Sequence, residues 1–85
     1  MSREGPFRYH AHVLEHLERH GIQPGPHTRP DLVRDFVREL YKYEIRRLRD
    51  RVRGNEFPRE EYAARVDTLR RRYRVLALSP AQFVE

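Results

Sequence analysis

The chain has 85 residues and no cysteine, with 18 Lys and Arg against 13 Asp and Glu, for a formal net charge of +5. This length predicts one small domain without room for a large enclosed active site. The lack of cysteine excludes disulfides and thiolate zinc sites. No apolar run is long enough to span a membrane, and the first ten residues lack a signal-peptide pattern. We therefore expect a cytoplasmic protein with no membrane partner.

Proline and glycine divide the chain into three predicted helices. These helices cover residues 6–20, 30–53 and 58–76. The second helix shows the pattern most clearly, because Pro30 stands at its start and Gly54 just past its end. After the third helix, Ser79 and Gln82 have the spacing of a capping box, which predicts a short C-terminal turn. The chain as a whole is predicted to be one all-α domain, residues 1–85.

The first predicted helix contains four of the five histidines. His12, His16 and His20 recur every four residues, so we expect them on one face, opposite Leu14 and Leu17. Two imidazoles at this spacing can bind one metal ion, and the segment HVLEH fits the zinc-peptidase pattern H-x-x-E-H. A catalytic zinc also needs a third protein ligand and a cavity, which one exposed helix does not supply. We therefore predict no metal site, and a solvated row of histidines.

The second and third predicted helices form an antiparallel hairpin, because only four residues, 54–57, connect them. Their facing stripes consist of Tyr41, Ile45, Leu48 and Val52 on one helix and Tyr62, Val66, Leu69, Tyr73 and Leu76 on the other. The second helix, at roughly 36 Å, is longer than the first, at roughly 21 Å, so part of it is expected to lack cover. The apolar segment 75–84 either folds back over the open end of the hairpin or docks on another chain.

Residues 44–69, EIRRLRDRVRGNEFPREEYAARVDTL, combine a leucine-spaced helix, a glycine, an acidic residue before Phe57 and an acidic-aromatic helix start. This pattern resembles the short C-terminal helical-hairpin domain found at the ends of many bacterial proteins. The chain differs from that family at Phe57-Pro58, where members usually have Ile-Thr, and at Arg65, where they usually have Lys. The resemblance implies oligomerisation or partner docking rather than catalysis. The same pattern also arises in any tight helical hairpin.

Glu44 is the acidic residue closest to the apolar face of the second helix. A carboxylate in this position is unfavourable unless it is paired. We predict a pair with Arg47 or Arg51 at the edge of the core or at an oligomer interface. The alternative is a polar site between helices, with His10 among its neighbours. His10 falls on the apolar face of the first helix, where we expect a backbone or carboxylate partner.

Positive charge is concentrated in the second half of the chain. Residues 1–45 are neutral overall, whereas residues 46–74 hold eleven Arg and five acidic residues. The cations expected to face outward are Lys42, Arg46, Arg49 and Arg53 on the second helix and Arg70, Arg71 and Arg74 near the end of the third. Such rows can bind phosphates, and that binding would weaken with salt.

These patterns predict a small non-catalytic helical interaction module that self-associates or docks on a larger protein. The contact would involve the uncovered part of the second helix and the apolar C-terminal segment. The alternative is a basic protein that binds RNA or DNA through its arginine rows. No residue has the sequence context of a catalytic nucleophile, so we expect no catalytic residues and no cofactor.

Overall fold

The computed structural model describes residues 5–85 and confirms the all-α fold with a long central helix in an antiparallel hairpin. Helix α1 comprises Ala11–Glu18, α2 comprises Pro30–Arg53 and α3 comprises Tyr62–Arg72. Short 3-10 helices cover Arg59–Glu61, Arg74–Ala77 and Pro80–Phe83. The described part measures 54 × 17 × 16 Å, because the 24 residues of α2 run along its long axis. Residues 1–4 of the predicted domain lie outside the described residues.

The ends of α2 follow from local chemistry. Pro30 occupies the first turn, where the missing N–H is not needed, and Asp31 Oδ1 accepts a hydrogen bond of 2.9 Å from the Leu32 N–H. After α2, the residue in the left-handed region is Asn55, at φ 60°, rather than Gly54, at φ −84°. Asparagine tolerates this region better than most residues. The reversal at Asn55 turns the chain back toward α3.

The hairpin between α2 and α3 is closed by buried apolar side chains. Leu48, Leu69 and Phe57 are all buried, and the Arg65 guanidinium lies 4.0 Å from the centroid of the Phe57 ring. The third predicted helix is interrupted, because Tyr73 leaves helical geometry at φ −111° and ψ 27°. The segment beyond Tyr73 continues as a 3-10 turn, which brings the end of the chain back toward α2.

The C-terminal segment folds back over the N-terminal half of α2 instead of remaining free. Phe83 is fully buried with Val13, Leu17 and Val37, so this segment belongs to the core. The expectation that it contributes to a docking surface is therefore wrong for Phe83. The outer side of α2 stays uncovered in this half of the molecule, where Leu32 and Phe36 are exposed.

Helix α1 is shorter than predicted, Ala11–Glu18 instead of residues 6–20. Residues before it are extended and pair with the C-terminal segment: Tyr9 and Val84 form an antiparallel bridge, and the His10 N–H donates to the Phe83 carbonyl at 3.1 Å. At the other end, Gly21 has a φ of 76° and the Ile22 N–H donates to the Leu17 carbonyl. This is the left-handed helix ending that glycine favours.

Arg34 holds the C-terminal segment against α2. Its Nε donates to the Leu78 carbonyl at 2.8 Å, and its Nη2 donates to the Leu76 carbonyl at 2.7 Å. Bonds from a guanidinium are stronger than those between neutral groups. The Arg34 side chain thus donates to two carbonyls of the C-terminal segment, which lacks the regular hydrogen bonds of an α-helix.

Candidate binding surfaces

Glu44 is bound by a tyrosine rather than by an arginine. The Tyr73 hydroxyl donates a hydrogen bond to Glu44 Oε2, and no Lys, Arg or His of residues 5–85 forms an ion pair with Glu44 within 4 Å. The predicted pair with Arg47 or Arg51 is therefore wrong. Arg51 instead contacts Glu56 Oε1 at 3.2 Å, and the Arg47 guanidinium lies near the ring of Tyr43. A buried phenol next to Glu44 satisfies the carboxylate without an ion pair.

The environment of Tyr73 strongly favours its neutral form. The side chain is buried, and this burial is the main reason why the pKa of Tyr73 lies well above its ordinary value. The hydrogen bond to Glu44 and the negative charge of its carboxylate raise this pKa further. Tyr73 is therefore a hydrogen-bond donor over the ordinary pH range.

His16 and His20 contact the end of α3. Their Nε2 atoms lie 3.1 and 2.8 Å from the carbonyl oxygen of Arg72. The ring of His20 also stacks on Tyr73, with 4.3 Å between centroids. The expectation of a solvated histidine row opposite Leu14 is wrong for both residues, and Leu14 is itself 37% exposed. The physical reason is that the last carbonyls of a helix lack intrahelical donors, and imidazole N–H groups supply them here.

Burial lowers the pKa of His16, and the positive charges of neighbouring residues lower it further. Those neighbours are His20, Arg19 and Arg74, whereas the hydrogen bond to the Arg72 carbonyl acts in the opposite direction. Partial desolvation and like charges both disfavour the imidazolium form. The neutral form of His16 is thus the one that fits the fold.

The third histidine of the row, His12, contacts His10 rather than the end of α3. His12 is exposed and stacks on His10, with ring centroids 5.4 Å apart. Within residues 5–85, no group of three or more His, Asp or Glu side chains is arranged to hold a metal ion. The prediction of a backbone or carboxylate partner for the His10 ring is wrong. The ring contacts His12, and only the backbone of His10 forms a hydrogen bond with another segment.

The outward cations of α2 and α3 are mostly free of carboxylates. Two of the predicted set have carboxylate partners, Lys42 with Glu39 at 3.5 Å and Arg71 with Asp67 at 3.6 Å. The others are exposed and have no carboxylate of residues 5–85 within 4 Å, namely Arg46, Arg49, Arg53, Arg70 and Arg74. We call Lys42, Arg46, Arg49 and Arg53 the outer row.

Two adjoining clefts form what we call the basic groove. The first, about 420 Å³ between α2 and α3, includes Arg47, Arg51, Arg65 and Arg72 in its lining. The second, about 600 Å³ beside α1, includes Arg19, Arg71, Arg72 and Arg74 together with His16 and His20. Thr68 and Arg72 line both clefts, so the two adjoin. Glu44 lines the first cleft, and no carboxylate lines the second in the described part of the chain.

Sequence reasoning missed this groove. The sequence predicts Arg47 and Arg51 as partners of Glu44, and that prediction gives no role to the spacing of Arg65, Thr68 and Arg72. Residues at i, i+3 and i+7 lie on one side of a helix, so the signal was present in α3.

A row of large apolar side chains is exposed on the outer side of α2. Leu32 and Phe36 are each 55% exposed, and Tyr43 is 54% exposed. Their spacing of four and seven residues places them along one line of the helix. We call these three residues the outer stripe. They lie on an uncovered part of α2, which the difference in helix lengths leads us to expect.

Comparison of the chain with protein-family models, with curated proteins and with solved structures found no match. The resemblance of residues 44–69 to the helical-hairpin family therefore stays a prediction. None of the helices in residues 5–85 combines the length and the apolar character that crossing a membrane requires.

Proposed function

We propose that the protein is a non-catalytic helical interaction module that self-associates through the outer stripe of α2. The observation that carries this proposal is the exposure of Leu32, Phe36 and Tyr43, each by more than half, along one line of a long helix. Large apolar side chains aligned on an exposed surface are typical of a contact with another surface. Phe83 of the C-terminal segment is part of the core and takes no part in this contact.

The occupant that fits the stripe is a second copy of the chain with its α2 antiparallel. Centred between Glu39 and Leu40, this register sets Phe36 opposite Tyr43 of the second copy. Arg29 and Asp50 then face each other across both ends of the contact. Asp50 is exposed and has no Lys or Arg of residues 5–85 within 4 Å, so it is available for this pair, whereas the Arg29 guanidinium contacts Asp31 at 2.6 Å and would bridge the two carboxylates. A parallel register would instead set equal charges opposite each other.

The exposed area implies weak association. Three half-exposed side chains of this size offer roughly 300 Å² per copy, or roughly 600 Å² for a dimer. At about 25 cal/mol per Å² this contributes about 15 kcal/mol, against about 4–15 kcal/mol of lost freedom on association. A total of roughly 600 Å² lies below the about 1,200 Å² of standard specific interfaces, so we expect a transient dimer with a micromolar or weaker dissociation constant.

Sedimentation equilibrium over a range of concentrations tests this proposal. We expect the wild type to form a reversible dimer and Phe36→Glu to be monomeric, because a charge in the contact is desolvated without a partner. Ala63→Glu is the matched control, since it adds the same charge at an exposed position of α3. A wild type that stays monomeric at every concentration would refute self-association.

A charge exchange tests the antiparallel register. Arg29→Asp and Asp50→Arg should each weaken the dimer, because each sets equal charges opposite each other. The double variant restores opposite charges and should recover the dimer. In a parallel dimer position 29 faces position 29 and position 50 faces position 50, so each single variant replaces one pair of equal charges with another and should leave association unchanged, which distinguishes the two registers.

We propose nucleic-acid binding through the outer row as the second candidate function. The supporting observation is that Arg46, Arg49 and Arg53 are exposed and have no carboxylate of residues 5–85 within 4 Å. Titration of labelled RNA and DNA at two salt concentrations tests it, since binding to phosphates weakens with salt. Replacing the three arginines with glutamate should abolish binding and leave sedimentation unchanged. Binding that does not respond to salt would contradict this candidate.

A further inference from the structure

The basic groove carries a concentration of positive charge that neither function above uses. The arginines that line its two clefts are Arg19, Arg47, Arg51, Arg65, Arg71, Arg72 and Arg74. Three of them contact a carboxylate within 4 Å, Arg51 with Glu56, Arg65 with Glu61 and Arg71 with Asp67. Together with Glu44, which receives the Tyr73 hydroxyl, these acids leave the groove with an excess of positive charge.

Arg72 stands at the centre of this groove. It lines both clefts and has no carboxylate of residues 5–85 within 4 Å. Its backbone carbonyl is held by His16 and His20, so the position of its backbone is fixed from α1. The end of α3 that carries Arg72 is thus held in place beside the groove, and the exposed Arg72 side chain is available to a ligand.

We propose that the basic groove binds a short run of phosphate groups, with Arg72 as the central contact. Guanidinium groups present several N–H donors in a plane and match the oxygens of a phosphate. Arg65 and Arg72 are separated by about 10 Å along α3, which spans more than one phosphate. Charges in a partly enclosed cleft are screened less than charges on an open surface.

The lining also indicates which part of a ligand the groove recognises. Apart from the imidazoles of His16 and His20, no aromatic side chain lines either cleft, and the ring of His20 is already stacked on Tyr73. Binding of single-stranded bases ordinarily uses exposed aromatic platforms. The groove therefore contacts phosphates by charge, whether they belong to inorganic oligophosphate or to a nucleic-acid backbone.

Calorimetric titration with inorganic tripolyphosphate at low salt tests this site in the full chain. Arg72→Gln should weaken binding by about tenfold, as expected for the loss of one charge-assisted contact. Arg70→Gln is the matched control, because Arg70 is an exposed arginine of the same helix that has no carboxylate of residues 5–85 within 4 Å and lines neither cleft. The Arg70→Gln control should change the affinity for tripolyphosphate by less than about twofold, since it removes a charge that lies outside the groove.

Several outcomes would overturn the proposal. Equal losses in Arg72→Gln and Arg70→Gln would mean that only the overall charge attracts phosphate. An absence of binding at low salt would reject the site outright. Circular dichroism of each variant verifies the helical fold, and Arg65→Gln provides a second groove variant if Arg72→Gln unfolds the chain.

Competition with an oligouridylate distinguishes the two sources of phosphate. Displacement of tripolyphosphate, with a dependence on Arg72, supports a nucleic-acid backbone as the ligand. Failure to displace it supports free oligophosphate in the same groove. At 0.15 M salt, where the Debye length is about 8 Å, the triple glutamate variant of the outer row should bind tripolyphosphate within about threefold of wild type, because the outer row lies outside the groove. These readouts are independent of the sedimentation experiment.

Discussion

Tyr73→Phe removes a single hydroxyl from the core and isolates the contribution of the hydrogen bond to Glu44. Tyr73 is only 4% exposed, and its ring contacts His20 and Tyr41, with centroids 4.3 and 5.3 Å away. These ring contacts remain in the variant. A hydrogen bond to a charged group contributes about 1.5–3 kcal/mol, and the half-buried Glu44 recovers part of this through water. We therefore expect the free energy of unfolding to fall by about 1–2 kcal/mol.

Equilibrium unfolding in urea, followed by circular dichroism, measures this loss. For a domain of this size the same change should lower the melting temperature by roughly 5–15 °C. Tyr43→Phe is the control, because it removes the same atom from a tyrosine that is 54% exposed. We expect the control to change stability by less than about 0.5 kcal/mol. If the two variants lose equal stability, the hydrogen bond between Tyr73 and Glu44 does not stabilise the fold.

The remaining predictions concern the core, the C-terminal segment and one histidine. Phe83→Ala should destabilise the fold by about 3–5 kcal/mol, because Phe83 is fully buried; loss of the helical circular dichroism signal would show it. Arg34→Met should expose the 3-10 turn to hydrogen exchange at Leu76 and Leu78, whose carbonyls lose a charged donor. The pKa of His16 is lowered in the folded state, so stability should fall as the pH drops below about 6.5, and His16→Gln should flatten this dependence in thermal melts.

Local signals were sufficient to predict α2 and the hairpin. Pro30 and the short connection to α3, residues 54–61 with their 3-10 turn, act within one or two turns of the chain, so the structure at these points follows from the nearby sequence. The start of α1 depends on a distant contact instead. The bridge between Tyr9 and Val84 competes with helix formation in residues 6–10, and no local pattern in that segment reveals its partner.

The candidate surfaces show the same difference between local and distant causes. The spacing of His16 and His20 predicted that they share a face, but which face is covered depends on where α3 ends at Arg72. Glu44 was paired with arginines on its own helix, whereas the group that binds it is Tyr73, 29 positions away. A periodic pattern gives the orientation of residues within one helix, and only the packing of helices decides their partners.

The circumference of α2 is divided among the core, the outer stripe, the outer row and the basic groove, and Arg47 lies where the stripe meets the groove. Its guanidinium is 5.9 Å from the Tyr43 ring and lines the first cleft. In the antiparallel dimer its aliphatic stem would cover Leu32 of the second copy. Arg47→Ala should therefore weaken both self-association and tripolyphosphate binding, whereas Arg72→Gln weakens only the second. Sedimentation and calorimetry of both variants measure this, and an Arg47→Ala dimer of wild-type strength would contradict the register of the contact.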